Sequence, residues 1–267
     1  ILMGINLVKA GLTNFKIYEK RSTIGGTWRE NTYPGIACDI ASYFYTYSFE
    51  PNPYWTRRFP SGAEIQAYFE RVFAKYQLAD YTTFNEEIIN TEHKEGQWHI
   101  EMASGQVETA DFVVAATGVL HKINEPEFEG IENFEGDTFH TARWNHDVEL
   151  KGKKIGIIGG GSTGTQMFEP LSNLAQKLTL FQRTPQWIFP MPDKAYSKLW
   201  IKSVQRFPSL GKLLYWLYKV MQERTVGVAT VKPGWNRSFL NKLCQWNLNK
   251  VKDPVLRAKL TPNYEPG

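Results

Sequence analysis

Three glycines, Gly159, Gly161 and Gly164, stand in the spacing G-x-G-x-x-G, with Ser162 and Thr163 between the last two. Such a loop acts through its backbone. It offers a tight turn, amides that a pyrophosphate can approach, and a helix N-terminus whose dipole favours an anion. The spacing alone is a weak signal, and its flanks strengthen it. Ile155, Ile157 and Ile158 precede it as the apolar run of a buried parallel strand. A helix is expected over about 165–175, with Pro170 as the place for a kink, and Leu178-Thr179-Leu180-Phe181 as a second strand. In this βαβ unit Gly159 permits the turn, Gly161 lets the phosphates in, and Gly164 allows close helix–strand packing. The second strand ends in Gln182-Arg183-Thr184, not in the carboxylate that accepts from a ribose 2′-hydroxyl in NAD sites. Arg183 and Thr184 offer a cation and a hydroxyl to a 2′-phosphate. The unit reads as a site for NADPH.

The elements before it suggest a second unit of the same kind. Residues 1–11 read as a helix stopped by Gly11, and 15–19 as a strand ending in Glu19, where a ribose-binding carboxylate belongs. The first strand and glycine loop of that unit are expected before Ile1, so the sequence reads as truncated there. Gly25-Gly26-Thr27-Trp28, Asn31-Thr32-Tyr33-Pro34-Gly35 and Cys38-Asp39 form an irregular loop whose aromatics must face something. Residues 63–75 have helical spacing. Strands are expected near 88–92, 97–102 and 107–114, with turns at Glu95-Gly96 and Ser104-Gly105. Beyond Ile188 the pattern turns helical and aromatic, clearest over 199–207 and 210–223, with further helices over 237–249 and 254–260. Leu213, Leu214, Trp216, Leu217, Val220 and Met221 give one wide apolar face. Packing against the body is the expected use of that face, and a membrane-surface helix over 199–223 is the alternative.

Size and composition narrow the classes. The 267 residues suit one large domain or two ordinary ones, and 42% hydrophobic with 22% charged residues is globular. A net charge of +4 without a dense Lys/Arg block points to no nucleic-acid partner. Cys38 and Cys244 are the only cysteines and form no CxxC pair, which disfavours a disulfide framework, a metal site and a disulfide reductase. No apolar run reaches the ~18 residues of a bilayer span, and no leader peptide is visible. A reducing cytoplasm is the expected compartment.

Together these motifs resemble the FAD- and NADPH-dependent Baeyer–Villiger monooxygenases, over essentially the whole chain. The most specific element is the family fingerprint FxGxxxHxxxW, met by Phe134, Gly136, His140 and Trp144. Trp144 favours this branch over the N- and S-oxygenating flavin monooxygenases, while Asn145 departs from the family's usual Pro or Asp. The implied fold is α/β, with two Rossmann-like dinucleotide-binding domains, both partial. They are an FAD domain over 1–145 and an NADPH domain over 146–267 with a helical insertion from about 195.

By resemblance, Glu19 would bind the FAD ribose, and Gly26, Thr27, Trp28 and Arg29 would line the flavin side. Asp39, the candidate catalytic residue, would sit by flavin and nicotinamide with Tyr45 close by. His140 would be structural. Gly159, Gly161, Ser162, Thr163, Gly164 and Gln166 would hold the NADPH pyrophosphate, and Arg183 and Thr184 its 2′-phosphate. The implied reaction uses O₂ to form a flavin C4a-peroxide that attacks a ketone and yields an ester or lactone. The family's catalytic arginine lies in a G-x-K-R segment whose glycine would be Gly267, so residues 1–267 alone are expected not to turn over. An N- or S-oxygenating enzyme is the alternative within the class. A non-catalytic NADP-binding module is the alternative outside it.

Overall fold

Helix α1 (Leu2–Lys9) ends where Gly11 adopts φ +75°, in the region that favours glycine. In the computed structural model, which describes residues 1–265, its Ile5 is fully buried. Gly4 brings the helix against β1 (Ile17–Glu19): a Cβ there would stand 3.0 Å from Ile17 Cδ1. A single helical turn, α2 (Thr27–Glu30), stands inside the stretch expected to be irregular. Helix α3 (Gly62–Lys75) buries Ile65, Tyr68 and Val72, one face at helical spacing, with Leu78 closing its far end.

Strand β2 (Thr82–Phe84) pairs in parallel with β1, from Ile17↔Thr82 to Glu19↔Phe84. Three residues are too few to show a period, so this strand is invisible in the sequence. A meander of β3 (Ile88–Lys94), β4 (Gln97–Met102) and β5 (Val107–Ala110) follows, antiparallel throughout. Its first turn places Glu95 and Gly96 at φ 52° and 84°, the pair of left-handed residues that suits strand twist in a two-residue hairpin. The strand expected over 107–114 stops at Ala110. Among the described residues no neighbour offers residues 111–118 a hydrogen-bonding ladder, and Phe112 is 88% exposed.

The second unit holds the expected βαβ. Strands β6 (Lys154–Ile158) and β7 (Lys177–Phe181) are parallel, in register from Lys154↔Lys177 to Ile158↔Phe181. Between them α4 (Ser162–Ser172) starts three residues before the expected position and runs continuously through Pro170. Tyr33, Ile157, Met167 and Leu171 form its buried core, with Ile36, Trp144, Leu150, Ile155, Leu178 and Leu180 packed around them.

Ile1–Thr32 with Ala63–Arg143 form one compact unit, and Tyr33–Gly62 with the chain from Trp144 onward form the other. Residues 33–62 therefore lie outside the unit to which the range 1–145 assigned them. Their backbone is stitched to the second unit: Arg58 donates to the Lys194 carbonyl at 3.0 Å and Tyr196 to that of Thr56 at 2.7 Å. Trp200 Nε1 donates to the Tyr43 hydroxyl at 2.9 Å.

Past β7 come α5 (Lys198–Arg206), α6 (Pro208–Gln222), a π-helical turn Glu223–Gly227, α7 (Val228–Val231), α8 (Trp235–Leu248) and α9 (Pro254–Leu260). Ser197 and Asp253 cap α5 and α9 by accepting from Trp200 and from Val255 and Leu256. The face by which α6 packs differs from expectation. Gly211, Tyr215 and Tyr218 meet Pro51, Phe44 and Tyr43, whereas Leu213, Trp216, Leu217 and Met221 lie 43–57% exposed. The rings of Tyr215 and Tyr218 lie 5.9 and 6.2 Å from those of Phe44 and Tyr43, while Leu214 and Val220 of the expected face are half-buried. Among the described residues no helix is long and apolar enough to cross a membrane. Gly267, the glycine assigned to the G-x-K-R segment, lies outside the described residues.

Candidate dinucleotide-binding site

Gly159 turns the chain out of β6 at φ +113° and donates to the Phe181 carbonyl of β7 at 2.9 Å. Five residues on, a Cβ at Gly164 would strike the Gly159 carbonyl oxygen, so only glycine lets α4 lie this close to the loop. Gly161 occupies the N-cap without a side-chain cap bond, and no atom lies within 4 Å of where its Cβ would be. No side chain caps the first amides of this 11-residue helix, which fits a pyrophosphate. Ser162 is exposed and Thr163 half-buried. Arg183 and Thr184 follow β7, both exposed, on the strand whose last pair is Ile158↔Phe181.

Gln166 does not face this opening. Its Oε1 accepts from the Tyr33 hydroxyl at 2.9 Å and from the Ala37 amide at 3.4 Å. Its Nε2 donates to the Ala37 carbonyl at 3.0 Å and to Asp39 Oδ1 at 2.7 Å. Both donors of the amide are committed to residues 33–39, so a role as a pyrophosphate donor finds no free N–H. Gly35, at φ +86°, fits beneath because a Cβ there would collide with the Gln166 carbonyl. Burial pushes the Tyr33 phenol up, and a hydrogen bond from Thr163 works against that shift. In the sequence Tyr33 stands only as a loop aromatic. The Tyr-Pro-Gly turn that delivers its hydroxyl to α4 carries no helical or strand period to reveal it.

Asp39 itself is exposed, whereas its neighbour Cys38 is buried and donates its amide to the Pro60 carbonyl at 2.9 Å. Burial raises the Cys38 thiol to about 11. Little thiolate then exists near neutrality, and the thiolate is the reactive form. In the folded chain Cys38 is expected to resist a thiol reagent at pH 8 and to react at once after denaturation. Thiol counting with and without denaturant checks this; equal rates would place Cys38 in solvent. Tyr45 is half-buried, its amide bonded to the Ala41 carbonyl at 3.0 Å.

In the first unit Glu19 closes β1 and accepts from the Arg21 amide at 3.0 Å, with Arg29 at 3.9 Å. Arg21 and Arg29 each lie 3.0 Å from Glu30, and Arg29 also reaches the Thr23 carbonyl. Burial alone would raise the Glu30 carboxyl; the bond from Arg21 and the charge of Arg29 outweigh it and hold the group low. This network fixes the loop that carries Gly26, Thr27 and Trp28. Gly26 has φ +52° with open space around it, and Thr27 and Trp28 are half-buried. Arg29 is thus occupied in holding the loop. Asp39 and Tyr45 belong to the other compact unit.

The four residues Phe134, Gly136, His140 and Trp144 are divided as well. The Phe134 ring folds back over Gly136, and His140 Nδ1 accepts from the Ala142 amide at 3.1 Å, capping the turn Thr141–Arg143. His140 therefore has a local structural bond. Trp144 packs on the core of the second unit.

Residues 7–225 match the flavin-binding monooxygenase-like proteins. The chain belongs to this family. An uncharacterized monooxygenase of Mycobacterium tuberculosis is 44% identical over 250 residues, 94% of this chain and 50% of the relative. A Baeyer–Villiger monooxygenase of Pseudomonas aeruginosa is 41% identical over 271 residues, 99% of this chain and 51% of that protein. The crystal structure of OTEMO in complex with FAD and NADP superposes with a TM-score of 0.79 at 26% identity, over 98% of this chain and 58% of that one. The chain spans about half the length of the curated relatives it matches. Membership in the flavin-binding monooxygenases agrees with an α/β fold carrying one parallel strand pair in each compact unit.

Proposed function

We propose that this chain is the NADPH-binding portion, with part of the FAD-binding portion, of a Baeyer–Villiger monooxygenase. The observation that carries the reading is the uncapped N-terminus of α4, set between parallel strands with Arg183 at the end of the second. That arrangement holds a dinucleotide with a 2′-phosphate. The backbone from Gly159 to Gly164 would take the pyrophosphate, Ser162 and Thr163 would add hydroxyls, and Arg183 and Thr184 would take the 2′-phosphate. Glu19 would accept from a ribose hydroxyl of FAD, whose loop Arg29 and Glu30 pre-form. FAD supplies the redox and oxygen chemistry when bound. The chain's own residues orient each dinucleotide within its own unit.

The substrate class is a ketone, with O₂ and NADPH consumed: one oxygen atom enters the ester and the other leaves as water. The compartment that suits two buried free thiols is the reducing cytoplasm. Product analysis on the protein carrying this chain at its natural length tests the reading, with FAD, NADPH and ¹⁸O₂ supplied. The expected result is an ester labelled with one ¹⁸O from a ketone. A sulfoxide from a thioether, with the ketone untouched, would assign it to heteroatom oxygenation instead.

A further inference from the structure

Gln166 lies on α4 one turn past Ser162, where a phosphate ligand would be sought, yet its whole amide is turned toward residues 33–39. Four hydrogen bonds at 2.7–3.4 Å join it to Tyr33, Ala37 and Asp39. The bonds run in sequence. The Tyr33 hydroxyl donates to Gln166, and Gln166 donates to Asp39. Gln166, on the glycine-loop helix, thereby bonds the carboxylate directly and is itself held by a buried phenol. Tyr33 is buried and Met167 beside Gln166 is buried, so the middle of this chain of bonds is held by packing.

The outcome of this arrangement is one exposed carboxylate in a fixed place. A carboxylate repels phosphate and cannot share its seat. The parts of NADPH that suit it are N–H donors and, after hydride loss, positive charge; the nicotinamide supplies both through its carboxamide and its oxidised ring. The adenosine end has a separate anchor in Arg183 beyond β7. We propose that Gln166 is a positioning residue, which holds Asp39 toward the nicotinamide end of the bound dinucleotide and takes no part in binding the pyrophosphate. This rests on the NADPH reading of the glycine loop.

The experiment compares two ligands that share every phosphate, NADP⁺ and 2′-phospho-ADP-ribose, the second lacking nicotinamide. Each is titrated calorimetrically into the full chain and into Gln166→Ala, Gln166→Glu and Tyr33→Phe variants, with circular dichroism as the check on folding. Gln166→Ala and Gln166→Glu are expected to weaken NADP⁺ about tenfold and to leave 2′-phospho-ADP-ribose within about twofold, the loss of one hydrogen bond to a charged group. Tyr33→Phe keeps the buried ring and should give a smaller loss for NADP⁺ alone. Equal weakening of both ligands would return Gln166 to the phosphates, and no weakening of either would remove the role; each overturns the proposal. Should Gln166→Ala fail to fold, the near-isosteric Gln166→Glu and the Tyr33→Phe variant decide by the same criterion. A native chain that binds neither ligand overturns the NADPH reading itself, before any substitution is made.

Discussion

Arg183→Ala lowers the affinity for NADPH about ten- to a hundredfold and leaves that for NADH nearly unchanged. The 2′-phosphate is the only chemical difference between the two nucleotides, and Arg183, exposed just past the end of β7, is the cation proposed to meet it. Its guanidinium fits phosphate oxygens as a fork, so Arg183→Lys should recover only part of the loss. The side chain is exposed, hence the effect should shrink as salt rises. Titration of both nucleotides at low and moderate ionic strength reads all three results. Parallel losses for NADPH and NADH would mean that Arg183 supports the fold of the site and does not read the phosphate.

Leu171→Ala destabilises the second unit by about 2–5 kcal/mol, the range for truncating a filled core position. Leu171 is 2% exposed and packs in one cluster with Tyr33, Ile157 and Met167. Removing its branched end leaves a void on the side of α4 that faces β6, so the helix bearing the glycine loop loses its support. Phe168, on the outer side of the same helix and 39% exposed, is the matched control and should cost much less on truncation to Ala. Denaturant unfolding followed by tryptophan fluorescence compares the two. Equal midpoints for Leu171→Ala and Phe168→Ala would show that the cluster is not the core of the unit.

The sequence by itself determined the local parts of this protein. Gly159, Gly161 and Gly164 could be read because turn, open backbone and close packing each demand a residue without a side chain, and the order of those demands is fixed. Helix α3 could be read because burying Ile65, Tyr68 and Val72 on one face imposes a 3.6-residue period. The hairpin at Glu95-Gly96 could be read because left-handed turns accept few residues.

Tertiary structure alone decided what touches what across long separations. Strand β2 exists only because β1 supplies its ladder, and residues 111–114 carry strand-like composition without one. Neither outcome is encoded in the segment itself. The assignment of Tyr33–Gly62 to the second unit came from backbone bonds to residues 194–196, about 140 positions away, which leave no trace in local composition. The exposed stripe of α6 shows the same limit, since periodicity marks an apolar face but not whether anything covers it. Gln166 is the sharpest case. Its position after the glycine loop suggested a phosphate ligand, whereas its direction was set by Tyr33, Ala37 and Asp39, residues some 130 positions earlier that the fold brings to α4. A side chain's chemistry is written in the sequence; its partner is chosen by packing.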